Sequence, residues 1–107
     1  MASGLSGLGR FAEPALLILV ALTDGPKHGY AIMSEVEEIT GSPIGPGTLY
    51  AALGRLERRG MIEPMPADDR RRPYRLTGAG ATTLEEQLRE LARFARTGLT
   101  RLASSRT

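Results

Sequence analysis

Eight consecutive apolar residues, Ala15–Leu22, constrain this chain more than any other feature. A helix through them is apolar on every side, so it is stable in water only if other elements surround it. The run is far short of the ~20 residues that cross a bilayer. It follows Glu13 rather than a basic start, and no small-residue cleavage site follows it. Neither a membrane span nor an export signal is expected, which places the protein in the cytoplasm. The 107 residues suffice for one modest core, burying roughly 65% of the surface that the unfolded chain exposes. One central helix wrapped by its neighbours is the expected plan.

Gly and Pro punctuate the remainder. The central helix is predicted over Glu13–Thr23, with Pro14 tolerated in its first turn and Asp24-Gly25-Pro26 as its stop. A second helix is predicted over His28–Ile39. Ile32, Met33, Val36 and Ile39 recur there at helical spacing, and Glu35, Glu37 and Glu38 take the other side. A third runs from Pro46 to Arg59 and is closed by Gly60, with Leu49, Leu53 and Leu56 as its apolar stripe. Thr48, Ala51, Arg55, Arg58 and Arg59 occupy its opposite face. The period then changes. Met61–Met65 and Pro73–Thr77 read as short strands around the polar turn 66–72, with Pro64 marking an edge and Tyr74 and Leu76 sharing a face. Two strands alone are marginal in water, so the hairpin must lean on the helices. A last helix, capped by Thr77, extends towards Leu102.

The fold class is therefore mainly α with a small β-hairpin. The element order is that of a winged helix-turn-helix domain over residues 13–77, followed by a helix over 78–107 and preceded by an arm or short helix over 1–12.

Composition narrows the chemistry. With no Cys and one His, the chain has no disulfide, no thiol nucleophile and no clustered metal site, and no cofactor is expected. Glu35, Glu37 and Glu38 read as a solvated helix face, and His28 lacks the partners of a catalytic set, so catalysis is not expected. The net charge of +2 conceals a gradient. Residues 1–40 carry two basic and five acidic side chains, residues 41–77 seven Arg against four acids, and residues 78–107 five Arg against three acids. Positive charge in the middle third suits a polyanion-binding face, although a solvated surface would produce it too.

From Asp24 the sequence reads DGPKHGYAIMSEVEEITGSPIGPGTLYAALGRLERRGMIEP, and later DDRRRPYRLTGAG. These blocks resemble the DNA-binding domain of the PadR family of bacterial transcriptional regulators: Gly25-Pro26 with His28-Gly29-Tyr30, Pro46-Gly47-Thr48-Leu49-Tyr50, Arg55-Leu56-Glu57, Gly60, the Arg-Arg wing, and Tyr74-Arg75-Leu76-Thr77. The similarity covers about residues 14–80. It implies a dimeric winged-helix repressor of the short subtype, with one C-terminal dimerisation helix, double-stranded DNA as partner and an inverted-repeat operator. Two positions depart from the family pattern. Gly45 stands where Ser is frequent, removing a hydroxyl from the start of the third helix. Pro73 replaces a common aromatic and removes a backbone donor from the wing.

The residues support that reading in their own terms. Gly47 allows the backbone at the third helix N-terminus to approach DNA, where unpaired N–H groups favour phosphate. Thr48 suits a phosphate or a thymine methyl. Tyr50 suits phosphate and sugar, or packing between helices two and three. Arg55, two turns along the Thr48 face, is the candidate for a base contact. In the wing, one or two of Arg70, Arg71 and Arg72 are expected on phosphate or in the minor groove, with Asp68 and Asp69 pairing the remainder. His28 is expected to cap helix two or touch phosphate, and Tyr30 to pack inward with its hydroxyl at the surface.

The last helix carries Leu84, Leu88, Leu91, Ala95, Gly98 and Leu102 in alternating steps of four and three, with Phe94 beside them. Such a heptad seam meets a second helix or packs on its own domain. The winged core is already closed, so homodimerisation through this seam is expected. Gly98 either permits close helix approach or marks a break, and Leu8 and Phe11 of the arm are candidates to cover the same seam. Some relatives hold phenolic or drug-like effectors between subunits. Here Phe11 and Phe94 are the only aromatics outside the winged core, so a small-molecule effector at the dimer interface stays an open expectation with no ligand named. The competing reading is a winged helix that docks proteins without binding DNA.

Overall fold

The computed structural model describes residues 13–67 and 69–106. Among the described residues four helices and one hairpin follow in the expected order: α1 (Pro14–Ala21), α2 (Gly29–Thr40), α3 (Pro46–Arg58), β1 (Ile62–Pro64), β2 (Tyr74–Leu76) and α4 (Gly78–Ser105). The arm over 1–12, with Leu8 and Phe11, lies outside the described residues, as does Asp68.

The apolar run takes the central place its composition demands. Leu17, Ile18, Leu19, Ala21 and Leu22 are all buried, and α1 packs against α2, α3 and α4. Around it lie Ile32 and Val36 of α2, Leu49, Ala52, Leu53 and Leu56 of α3, Ile62 of β1 and Leu84 of α4. Each buried Leu, Ile or Val contributes about 1.5–3 kcal/mol, so this cluster holds the domain. Ile39 departs from its expected stripe: the last turn of α2 leaves it 46% exposed. Gly41 ends that helix at φ 76°, a backbone region that glycine enters without strain.

β1 and β2 pair antiparallel, with Ile62 opposite Leu76, Glu63 opposite Arg75 and Pro64 opposite Tyr74. Arg75 and Glu63 form an ion pair across that register. On the other side of β2, the Lys27 N–H donates to the Tyr74 carbonyl at 3.1 Å, and the Tyr74 N–H to the Lys27 carbonyl at 2.9 Å. The hairpin is thus tied to the loop between α1 and α2, leaving β1, with its proline, at the edge.

Lys27, the only lysine, is a clamp rather than a free surface charge. Its Nζ donates to the Ala21 carbonyl at 2.6 Å and pairs with Asp24 and, at 3.2 Å, with Glu35. Burial disfavours its charge, but its bonds to Asp24 and Glu35 outweigh that and raise its pKa. The hydrogen bond and charge of Lys27 in turn hold the Asp24 carboxyl below its usual range. A depressed carboxyl contributes stability at neutral pH that is lost as pH falls through its folded pKa. A raised ammonium loses its share only as pH rises through its own. The clamp is therefore intact across neutral pH. Lys27→Met should lower stability by about 1–2 kcal/mol, read as a drop in Tm at pH 7 that shrinks in acid. An unchanged Tm would remove the clamp from the account.

Thr77 caps α4 as expected. Its hydroxyl accepts from the Gly80 N–H at 3.0 Å and donates to the Gly60 carbonyl at 2.7 Å, joining the start of α4 to the end of α3. α4 then continues unbroken through Gly98 to Ser105, so the glycine is no break. Its 28 residues span about 42 Å. The radius of gyration is 16.0 Å, against about 13 Å for a compact chain of this size. The helix therefore projects from the domain.

Candidate nucleic-acid interface

The N-terminal half of α3 is open to solvent. Gly45 caps it without a side-chain hydrogen bond, leaving the first backbone N–H groups unclaimed by a hydroxyl. Gly47, Thr48, Tyr50, Ala51 and Arg55 are exposed, while Leu49, Ala52, Leu53 and Leu56 anchor the opposite side in the core. Pro46 at the first helical position and the leucine spacing together fix which side faces outward. Arg58 lies over Gly54, where an added Cβ would be 3.3 Å from its guanidinium.

Tyr50 links this face to α2. Its ring lies against Gly29, where a Cβ would stand 2.5 Å from the phenolic oxygen, yet the side chain is 54% exposed. The packing reading of Tyr50 is therefore what the geometry shows, with half of the side chain still open to solvent. Tyr30 departs from expectation. Instead of packing inward it is 70% exposed at the first turn of α2, because Ile32 and Val36 take the inward side. His28 occupies the N-cap position but makes no side-chain cap bond, and its Nδ1 is buried without a partner. Its expected capping role is not what the geometry shows: backbone at this position leads straight into the Lys27–Tyr74 bridge.

The wing supplies the cations. Asp69 and Arg70 turn the hairpin tip at positive φ, 50° and 72°, a region that costs non-glycine residues energy. Arg70, Arg71 and Arg72 are all exposed. Among the described residues no ion pair joins Asp69 to these arginines, so the expected local neutralisation by Asp69 is absent. Tyr74 marks the junction. Its phenol pKa is raised first by burial and further by Glu57 and Tyr50, with Arg72 acting in the opposite sense. The phenol stays protonated at neutral pH. The start of α2, the outer side of α3 and the base of the wing thus meet around Tyr50 and Tyr74. The sequence had marked Tyr50 but not the roles of Lys27 and Tyr74, since backbone bridging leaves no side-chain pattern.

The seam residues divide. Leu84 is 4% exposed and belongs to its own chain's core. As α4 packs against α1 and Leu84 is in the core, Leu84 does not lead an open stripe, and this corrects its assignment. Leu91 is half-buried, whereas Leu88, Phe94, Ala95 and Leu102 are exposed, joined by Leu99 at 68%. No described helix is long and apolar enough to cross a membrane.

A family model described as the transcriptional regulator PadR-like family matches residues 18–86. The chain belongs to this family. The matched region is that of PadR-like transcriptional regulators. It is similar to the transcriptional regulator Rv3488 of Mycobacterium tuberculosis, 40% identical over 88 residues that cover 79% of this chain and 81% of that protein. An uncharacterized 37.1 kDa protein in transposon TN4556 of Streptomyces fradiae is 44% identical over 84 residues, covering 78% of this chain. This chain spans only 24% of that protein's length. Among solved structures, a PadR family transcription regulator from Clostridium difficile R20291 superposes with a TM-score of 0.73 at 28% identity, covering 83% of this chain and 96% of that one. The PadR-like fold thus accounts for α1 to the first turns of α4.

Proposed function

We propose that this regulator binds double-stranded DNA as a homodimer and represses transcription from an inverted-repeat operator. The arm over 1–12 and the winged domain over 13–77 act with a dimerisation helix over 78–107. The observation that carries the reading is the exposure of both elements, with Thr48, Tyr50 and Arg55 on the outer side of α3 and Arg70, Arg71 and Arg72 at the wing tip. Thr48 and Arg55, two turns apart, fit the major groove, and Gly47 admits close backbone approach. The wing arginines fit phosphate or minor groove, and exposed Tyr30 beside His28 fits flanking phosphate. The exposed stripe of α4 from Leu88 to Leu102 supports pairing with a second copy, since a soluble chain rarely leaves such a face open. Two-fold symmetry would then set α3 and its mate in successive major grooves.

Fluorescence anisotropy on duplexes from the protein's own upstream region tests this. Binding should fall steeply with salt, and Arg70→Gln with Arg71→Gln and Arg72→Gln should flatten the log–log slope by about 1–3 per protomer. No binding at low salt would favour protein docking instead. Gly29→Ala should push the Tyr50 phenol from its seat and weaken binding several-fold while the protein stays folded. Unchanged affinity would remove Tyr50 from the interface.

A further inference from the structure

The cationic half of α4 has no part in the proposed winged interface. After Glu90 the chain carries four arginines, Arg93, Arg96, Arg101 and Arg106, and no acid. Beyond Leu91 every described residue of α4 is exposed, so this half has left the domain. Arg89 is paired with Glu85 one turn away, but among the described residues no ion pair engages Arg93, Arg96 or Arg101. At about 100° per residue, Arg93, Arg96, Thr97 and Thr100 lie on the side of the helix opposite the Leu88–Leu102 stripe, with Arg101 at their edge. Arg96, Thr97, Thr100 and Arg101 line a shallow groove. Two guanidinium groups flanking two hydroxyls are donors suited to phosphate oxygens.

We infer that this outer face of α4 binds the sugar–phosphate backbone of a second DNA segment. The inference rests on the proposed DNA-binding reading and extends it. Pairing through the apolar stripe would leave the arginine face uncovered and would duplicate it by symmetry. A pair of such faces, set apart from α3 and the wing, would let one dimer hold two duplexes. The contacts are with phosphate alone, so this face would read no sequence.

The test uses the full chain and a random-sequence 30-base-pair duplex. A bead-bound duplex loaded with protein should retain a second, labelled duplex. Arg93→Gln with Arg96→Gln and Arg101→Gln should abolish that retention and flatten the salt slope by about 2 or more per dimer, without changing selection of the operator or the sedimentation of the protein. The corresponding three Arg→Lys changes should keep both. Retention and slope unchanged in the Gln variant would overturn the inference and leave operator binding standing. Equal capture of vesicles of anionic phospholipid would assign the face to a membrane surface and overturn it as well. If the unaltered protein binds no duplex of any sequence, the DNA-binding reading itself fails.

Discussion

Gly80→Ala should destabilise the protein by on the order of 3 kcal/mol, the largest effect expected of any single methyl group. A Cβ there would collide with the Met61 carbonyl oxygen and stand 2.9 Å from Leu76 Cδ1. The Met61 oxygen cannot step aside, because it accepts the Thr77 N–H at 3.1 Å and is held in the corner that joins α3 to β1. The methyl would therefore lift the first turn of α4, loosening the Thr77 cap and the seat of Leu84 together. Gly98 provides the control: a Cβ there meets nothing within 4 Å. Gly98→Ala, made in the monomeric Leu88→Asp, Leu91→Asp background so that no partner helix meets the methyl, should instead strengthen the helix by about 1 kcal/mol. Urea unfolding of the two variants, each against its own parent, measures both. Equal changes in stability would contradict the packing at the start of α4.

Leu88→Asp combined with Leu91→Asp should yield monomers in sedimentation velocity and cut affinity for an inverted-repeat duplex by about 10²-fold or more, since each winged domain then binds alone. Charges on the stripe would have to be buried against the partner, which costs far more than the apolar contact returns. Leu88 is 43% exposed in the single chain, so the fold itself should persist, and helical circular dichroism should remain near that of the unaltered protein. A dimer that survives both charges would move the interface elsewhere.

The fold was largely legible from periodicity and punctuation. The all-apolar run, the leucine spacing of α3 and the change of period after Gly60 suffice to order the elements, because each is a local rule about burial or turns. The errors arose where tertiary geometry chooses between equal options. Leu84 belongs by spacing to the α4 stripe, yet it lies close enough to the domain to be claimed by α1. Tyr30 and Ile39 sit at helix positions whose side cannot be assigned from spacing alone. His28 stands where a cap is expected, but its Nδ1 is buried without a partner. The arginines and Thr48 of the proposed interface are visible as residue types on one helix side and one hairpin tip. The junction of Lys27, Tyr50 and Tyr74 was not, since it depends on a backbone bridge across 47 residues of sequence, from Lys27 to Tyr74.

The charge gradient now has a structural distribution. The acids of the first third serve partly to clamp Lys27, while the exposed arginines other than the paired Arg75 and Arg89 divide, among the described residues, between α3, the wing tip and the far half of α4. In vitro selection of duplexes from a random pool, at near-physiological salt, tests the central claim most directly. A palindromic consensus with half-sites about one helical turn apart, lost when Arg55→Ala is introduced, is the expected result. Recovery of no enriched sequence would contradict sequence-specific binding by α3, and a single asymmetric half-site would contradict the symmetric dimer.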